Sequence, residues 1–348
     1  MASRNFSMVE YFNRVAAQWK PRLSFNGKTA QDWRRWRRKA LAKLKELMGR
    51  WPERAPLAAE MVWKVEREKE GVTCEYVVFD SDPFMSVPCY VQYPTGTKPD
   101  RSMAAIVAVH GHGPHGKTPV AGWAANAEVR GNIEAHNYDY GLQLARAGFL
   151  TISPDLRVFG ERGDGGNPYP GRDPCNVQFL RGGILGIYTL TLNVFDMMRA
   201  ADYLETRTEV DPRRIGIMGL SQGGTITAFA AALEPRFKAA DVSGYVNSWL
   251  GFGIGDANFC GSQVVPEIFY WMDVPDVAGL IAPRPLLIEM GVNDDCFKFE
   301  KLREGFEAVQ RIYAAAGVSD RLQADVHPGA HAFSGRLAFD FFRKHLGK

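Results

Sequence analysis

Between residues 29 and 50 apolar side chains recur every third or fourth position: Trp33, Trp36, Ala40, Leu44 and Leu47 fall on one face. Arg34, Arg35, Arg37, Arg38, Lys43 and Lys45 occupy the others, so the spacing predicts a basic amphipathic helix ending before Pro52. From Met61 to Tyr93 the period shortens to alternation, as in Cys74, Tyr76, Val78 and then Val87, Cys89, Val91. That predicts antiparallel strands joined by a hairpin around Asp80 to Phe84.

Beyond this point strand-like and helix-like runs take turns. Strands are expected at 104–110, 149–153, 215–218, 239–243, 286–290 and 322–326. Helices are expected at 138–147, 190–206, 225–233, 299–316 and from Ala332 to the end. Such alternation implies an α/β fold with a mostly parallel central sheet covered by helices on both faces, preceded by antiparallel first strands. Ligands of such sheets bind at the C-terminal ends of the strands. Two Gly-rich stretches without period, 111–136 and 159–183, follow strands and are expected to border the site. The expected organisation is a helical extension over 1–60 packed on a catalytic domain over 61–348, which carries an aromatic, cap-like insertion at about 245–280.

Composition narrows the class. A chain of 348 residues, 46% hydrophobic and 23% charged, can bury a large core, and a net charge of +3 gives no reason to expect nucleic acid or a membrane surface as partner. The start, MASRNFSMVEYF, has no long apolar segment, so the expected location is cytoplasmic. Five cysteines, Cys74, Cys89, Cys175, Cys260 and Cys296, are widely spaced and odd in number, which favours free thiols. Oligomeric state stays open, a homo-oligomer included.

The chemistry begins at Gly219, Leu220, Ser221, Gln222 and Gly223, a GxSxG pentapeptide between a strand-like run and a small-residue helix-like run. Chance alone supplies such a pattern in roughly one chain in ten of this length; the strand–turn–helix setting is what makes Ser221 a candidate nucleophile. An activated serine needs a base, an acid that orients the base, and amide donors for an oxyanion. His331, in HPGAHAF after the last strand, is the favoured base over His327. GVNDD after the penultimate strand offers Asp294, favoured over Asp295, as the acid. The strand at 104–109 runs into HGHG, whose His112 would give one backbone N–H, with Gln222 giving the other. His110, His112 and His115 also form an HxHxxH cluster, but no carboxylate ligand or water-activating Glu stands at metalloprotease spacing, so neither metal nor cofactor is expected in catalysis. Trp249, Phe252 and Trp271 in the aromatic insertion are pocket candidates that would favour an apolar acyl or aryl group, or else pack the insertion on the core.

The set HGHG, PDLRVFGER (154–162), GLSQGG (219–224), GVNDD and GAHAF resembles the α/β-hydrolase superfamily, and within it the acetyl xylan esterase-like and dienelactone hydrolase-like branch. The likeness runs from about Val62 onward and implies a serine ester hydrolase on a small-molecule ester. It also implies that Asp155, Arg157 and Arg162 form a structural network beside the site. Two departures stand out. Dienelactone hydrolases use a Cys nucleophile where this chain has Ser221, and related esterases often carry Pro where it has Asp295. An amidase or peptidase, a carbon–carbon hydrolase on the same triad, and a non-catalytic binding protein of this fold are the alternative readings.

Overall fold

The computed structural model describes residues 4–163 and 171–347. Its centre is a nine-stranded sheet in the order β1-β2-β3-β5-β4-β6-β7-β8-β9. The strands are β1 (Glu60–Arg67), β2 (Val72–Asp82), β3 (Met85–Pro94), β4 (Met103–Val109), β5 (Leu150–Pro154), β6 (Val210–Leu220), β7 (Phe237–Ser243), β8 (Leu286–Gly291) and β9 (Leu322–His327). β1, β2, β3 and β5 pair antiparallel, and the run from β5 through β4 to β9 is parallel.

Strand β4 shows why the sheet is buried on both faces. Ala105, Val107 and Val109 point into one apolar cluster, with Met197, Ile226 and Ile312. Ala104, Ile106 and Ala108 point into the other, with Leu144, Phe341 and Phe342. A period of two with apolar residues at every position leaves no face for water. Helices 189–206, 222–233 and 299–316 cover the first face, while 140–146 and 338–346 cover the second. In the first hairpin the alternation holds but the inward set is Val77 and Phe79 rather than Tyr76 and Val78, which are only partly buried.

The basic helix spans Ala30–Leu47, with Thr29 and Asp32 forming a reciprocal capping box. Its Trp36, Ala40, Leu44 and Leu47 are buried, so the stripe docks; Arg34, Arg35, Arg38 and Lys45 stay exposed, while the partly buried Arg37 donates through Nε to the Ala282 carbonyl at 3.0 Å. The segment before it is stitched to residues 270–276: Leu23 N donates to the Trp271 carbonyl at 2.7 Å, and Phe25 N to Asp276 Oδ1 at 2.9 Å. Trp36 Nε1 in turn donates to the Leu23 carbonyl at 2.6 Å.

Three regions differ from the expectations. Residues 111–136 contain a helix, Ala127–His136, capped by Asn126; only Val129 of it is buried, so it carries no apolar stripe to betray it. The stretch 159–183 contains most of a helix over Pro174–Leu185, with Asp173 as cap; residues 164–170 of that stretch lie outside the described residues. The last helix starts at Ala338 rather than at Ala332, because residues 331–337 form irregular loop.

Candidate active site

β6 ends at Leu220, and the next residue turns the chain into helix Gln222–Leu233. Ser221 sits in that turn at φ 63°, a left-handed conformation that costs an L-residue on the order of 1–3 kcal/mol. The neighbouring glycines permit it by allowing close approach. A Cβ on Gly223 would stand 2.1 Å from the Val109 carbonyl oxygen, and one on Gly219 2.5 Å from the Gly223 carbonyl carbon. Ser221 N donates to the Ser243 carbonyl at 3.0 Å, fixing the turn to the end of β7.

The loops after β8 and β9 are sewn to each other. Val292 N donates to the His327 carbonyl at 2.8 Å, Asn293 N to the Gly329 carbonyl at 3.1 Å, and Asn293 Nδ2 to the Pro328 carbonyl at 2.7 Å. A Cβ on Gly291 would lie 2.4 Å from the Ala330 carbonyl oxygen, so only glycine lets the loops come this close. Across this seam His331 Nδ1 donates to Asp294 Oδ2 at 2.9 Å. Asp294 is buried, and its Oδ1 accepts from the backbone N–H groups of Cys296 (2.9 Å) and Phe297 (2.7 Å). Asp295 is exposed. His327 is turned to its own loop, with its ring accepting from Gly329 N at 3.3 Å and burial lowering its pKa.

His331 is held from three directions, two of them at its ring. The ring stacks at 25° on Phe297, the backbone carbonyl accepts from His136 Nδ1 at 2.7 Å, and a Cβ on Gly244 would come within 3.1 Å of the ring Cε1. Gly244 follows Ser243, the residue that holds the Ser221 turn, so imidazole and hydroxyl-bearing turn share one corner of the sheet. The outward nitrogen, His331 Nε2, is buried without a hydrogen-bond partner among the described residues.

The HGHG loop lies against the same turn. A Cβ on Gly111 would stand 3.3 Å from Ser221 Cβ, and Gly111 N donates to Tyr138 Oη at 2.5 Å. This brings the loop that carries His112 against the serine turn. The amide of Gln222 opens the helix, where the first N–H groups have no intrahelical acceptor and the helix dipole is positive. The Gln222 side chain is buried and donates to Ser262 Oγ at 2.8 Å, so it anchors the segment above rather than the cavity.

The three histidines of HxHxxH diverge. His110 is buried, accepts from Leu156 N at 2.9 Å and is pushed by burial down to about 4, so it is a neutral strut. His115 lies 3.1 Å from Glu128. Only His112 reaches the cavity.

The DLRVFGER segment forms a buried ionic network. Arg157 bridges Asp82 (2.7 Å) and Asp196 (2.9 Å), Arg162 also reaches Asp196 (2.7 Å), and Asp155 holds Lys117 at 2.7 Å. Burial would raise the Asp196 carboxyl, but the Arg162 and Arg157 guanidiniums overcome it and pull it down to about 2. A carboxylate paired this way stays ionised and braces the loop after β5.

Ser221 opens on a cavity of about 370 Å³ lined by His112, Asp173, Asn176, Ser221, Phe252, Asn258, Phe259, Cys260, Gln263, Cys296 and Phe297. Of the three aromatic candidates only Phe252 belongs to it. Trp249 is buried behind Phe259, 4.9 Å between ring centroids, and Trp271 lies at the seam with the N-terminal helices, under Lys43 at 4.1 Å. The expectation of an apolar lining is corrected as well, since carboxylate, amide and imidazole groups share the walls with the phenyl rings. Sequence reading missed Asp173, Asn176, Asn258 and Gln263, which lie in segments without period. A larger apolar cavity, about 860 Å³, lies between helix Met8–Ala17 and residues 253–270 and includes none of Ser221, Asp294 and His331.

Comparison with known proteins points to the same fold and to hydrolases. Residues 61–246 match the family model "Acetyl xylan esterase (AXE1)", and residues 191–331, which include Ser221, Asp294 and His331, match "Prolyl oligopeptidase family". The chain is 25% identical to "Putative hydrolase YtaP" of Bacillus subtilis over 82% of its own length and 89% of that protein. It is 26% identical to "Putative carboxymethylenebutenolidase" of Salmonella typhi over 62% of itself and 74% of that protein. Its fold is similar to that of a "putative acetyl xylan esterase" of Bacteroides fragilis, with a TM-score of 0.76 at 17% identity over 93% of this chain and 83% of the other. A glucuronoyl esterase of Solibacter usitatus superposes with a TM-score of 0.67 at 16% identity, covering 95% and 100%. At these identities the structural likenesses speak for the fold alone.

Proposed function

This chain belongs to the acetyl xylan esterase (AXE1) family of α/β-hydrolases, and on that premise we propose that it is a serine carboxylic-ester hydrolase working through Ser221, His331 and Asp294. The observation that carries the reading is the 2.9 Å bond from His331 Nδ1 to the buried Asp294, which leaves His331 Nε2 buried and without a hydrogen-bond partner among the described residues. Donation from Nδ1 fixes the tautomer in which Nε2 has a free lone pair.

In the proposed cycle Ser221 Oγ attacks the ester carbonyl while His331 Nε2 takes its proton, and Asp294 stabilises the imidazolium. The oxyanion meets the backbone N–H groups of His112 and Gln222. His331 then protonates the leaving alkoxide, and water repeats the sequence on the acyl-enzyme to release the acid. No step calls on a metal or cofactor.

For the substrate we propose a small ester of a hydroxyl-rich alcohol, an acetylated sugar being the leading case. Phenyl rings beside Asn176, Asn258, Gln263 and Asp173 suit a sugar, whose ring faces are apolar and whose rim is hydroxyls. The test is a panel of p-nitrophenyl esters of increasing acyl length run beside acetylated xylo-oligosaccharides and a peptide amide. The proposal expects acetyl esters to be turned over fastest and Ser221→Ala to be inactive on all. Equal turnover by Ser221→Ala, or preference for the amide, contradicts it.

A further inference from the structure

Three side chains from distant segments meet beside the nucleophile's cavity, which two of them, His112 and Cys260, line. His112 comes from the loop after β4, Cys175 from the first turn of helix Pro174–Leu185, and Cys260 from the irregular segment above. One ligating atom from each lies within 4.8 Å of the other two, and His112 Nε2 is 3.6 Å from Cys175 Sγ. A tetrahedral zinc ion with Zn–S of about 2.3 Å and Zn–N of about 2.0 Å spaces neighbouring donors by about 3.5–3.8 Å. The His112–Cys175 pair already has that spacing, and the cluster as a whole needs shifts of no more than about 1 Å to reach it.

The group is anchored from outside. His112 packs edge-on against Phe159 at 5.0 Å. Gly261 N, next to Cys260, donates to Asn176 Oδ1 at 2.8 Å, and Cys260 Sγ lies 2.8 Å from Ser262 Oγ. A Cβ on Gly261 would stand 2.3 Å from Phe179 Cβ, so the segment carrying Cys260 is pressed against the helix carrying Cys175. Asp173 Oδ2 lies 3.9 Å from His112 Nε2 but outside the 4.8 Å cluster of the three ligating atoms, so it reaches an ion there only by turning its side chain, and water is the direct alternative as fourth donor.

We propose that His112, Cys175 and Cys260 form a binding site for one borderline-soft divalent cation of the zinc class, with Asp173 or water as fourth ligand, and that the bound ion closes the cavity to substrate. Ligation takes two thiolates and a neutral imidazole, so binding releases to solvent every proton the three groups carry beyond that state, two when both cysteines are thiols and the imidazole is neutral. This site is distinct from the His110–His112–His115 spacing in the sequence, since His110 and His115 take no part. Closure follows from position: His112 and Cys260 line the same cavity as Ser221.

The test uses the full chain, fully reduced. Cobalt(II) should bind one ion per chain and give the thiolate-to-metal band and visible d–d bands of a tetrahedral ion, and Zn²⁺ should displace it in equilibrium dialysis. Cys260→Ser and Cys175→Ser should each weaken binding at least about tenfold, with circular dichroism verifying that each variant is folded. His112→Gln, which keeps its backbone N–H, gives a third, independent loss. Zn²⁺ should also suppress hydrolysis of p-nitrophenyl acetate, with recovery on chelation and resistance in the cysteine variants. No stoichiometric binding, binding indifferent to both cysteines, or full turnover by the loaded protein overturns the proposal. Closure rests on the esterase reading, whereas binding is read without turnover. A chain that takes up cobalt with a thiolate spectrum yet hydrolyses nothing therefore supports the site and counts against the esterase.

Discussion

The floor and the roof of the cavity are built by different means. Ser221, Asp294 and His331 sit on short loops within a few residues of the ends of β6, β8 and β9, and backbone hydrogen bonds and glycine contacts fix those loops to one another. The roof, residues 249–263 with Asp173 and Asn176, has no strand of its own. It consists of a π-helical turn over Trp249–Gly255, a 3₁₀ turn over Gly261–Gln263 and the start of a helix, held by side chains such as Gln222 and Asn176. Backbone-fixed geometry suits chemistry, where misplacement by about 1 Å can cost about 10²-fold. Side-chain-fixed walls suit specificity, which changes when one contact changes.

That contrast predicts where substitutions bite. Asp294→Asn should lower kcat on p-nitrophenyl acetate by about 10³- to 10⁴-fold with little change in KM, because the imidazole loses its orienting charge. Asp295→Asn, at an exposed position, should stay within about twofold of the native enzyme. Equal losses at the two positions would break the distinction between them.

Gly223→Ala should cost about 10²-fold or more in kcat, because a methyl group 2.1 Å from the Val109 carbonyl oxygen forces the Ser221 turn to move. Thermal unfolding run alongside separates a displaced turn from a lost fold. On the roof, Asn258→Ala should raise KM for an acetylated sugar about tenfold while leaving kcat for p-nitrophenyl acetate nearly unchanged. A fall in kcat alone would place Asn258 with the chemistry instead.

The smallest effect concerns pH. Burial raises the Glu289 carboxyl above its ordinary range, against hydrogen bonds from Ser243 and Ser334 N, with Asp325 and Asp241 close by. A raised carboxyl is protonated in the folded state where the unfolded chain has released its proton. Its contribution to stability is therefore complete below the ordinary carboxylate range and lost as pH rises through the raised value. Glu289→Gln keeps an acceptor for Ser243 and cannot ionise. Going from about pH 5 to about pH 8, the native protein should lose more of its melting temperature than this variant, by roughly 2–4 °C. An unchanged difference would show that Glu289 does not titrate in that range.

The same contrast governs what could be read from sequence. Strands such as β4 are legible because six consecutive buried apolar residues form a short run with no polar face, and the floor is legible because each of its residues follows such a strand within a fixed short distance. Helix Phe299–Ala316 matches its expected limits, since Leu302, Val309 and Ile312 recur on one buried face. Helix Ala127–His136 had no such stripe, and its N-cap Asn126 alone is too weak a signal. Roof residues were missed because no period relates Asp173 to Asn258, and the sugar-compatible mixture of amides and rings exists only once the chain has brought them together. Trp271 was drawn into the pocket by its type; its partner, Lys43, is more than two hundred residues earlier in the chain, and only tertiary packing decides between them.

The central claim is that Ser221 is a nucleophile activated by the His331–Asp294 pair, and covalent labelling tests it most directly. Treatment with an alkyl fluorophosphonate followed by intact mass and peptide mapping should give one adduct per chain, on Ser221. Labelling should be absent in Ser221→Ala and slowed by orders of magnitude in His331→Ala. An adduct on another residue, or labelling of Ser221 at an undiminished rate in His331→Ala, contradicts the claim.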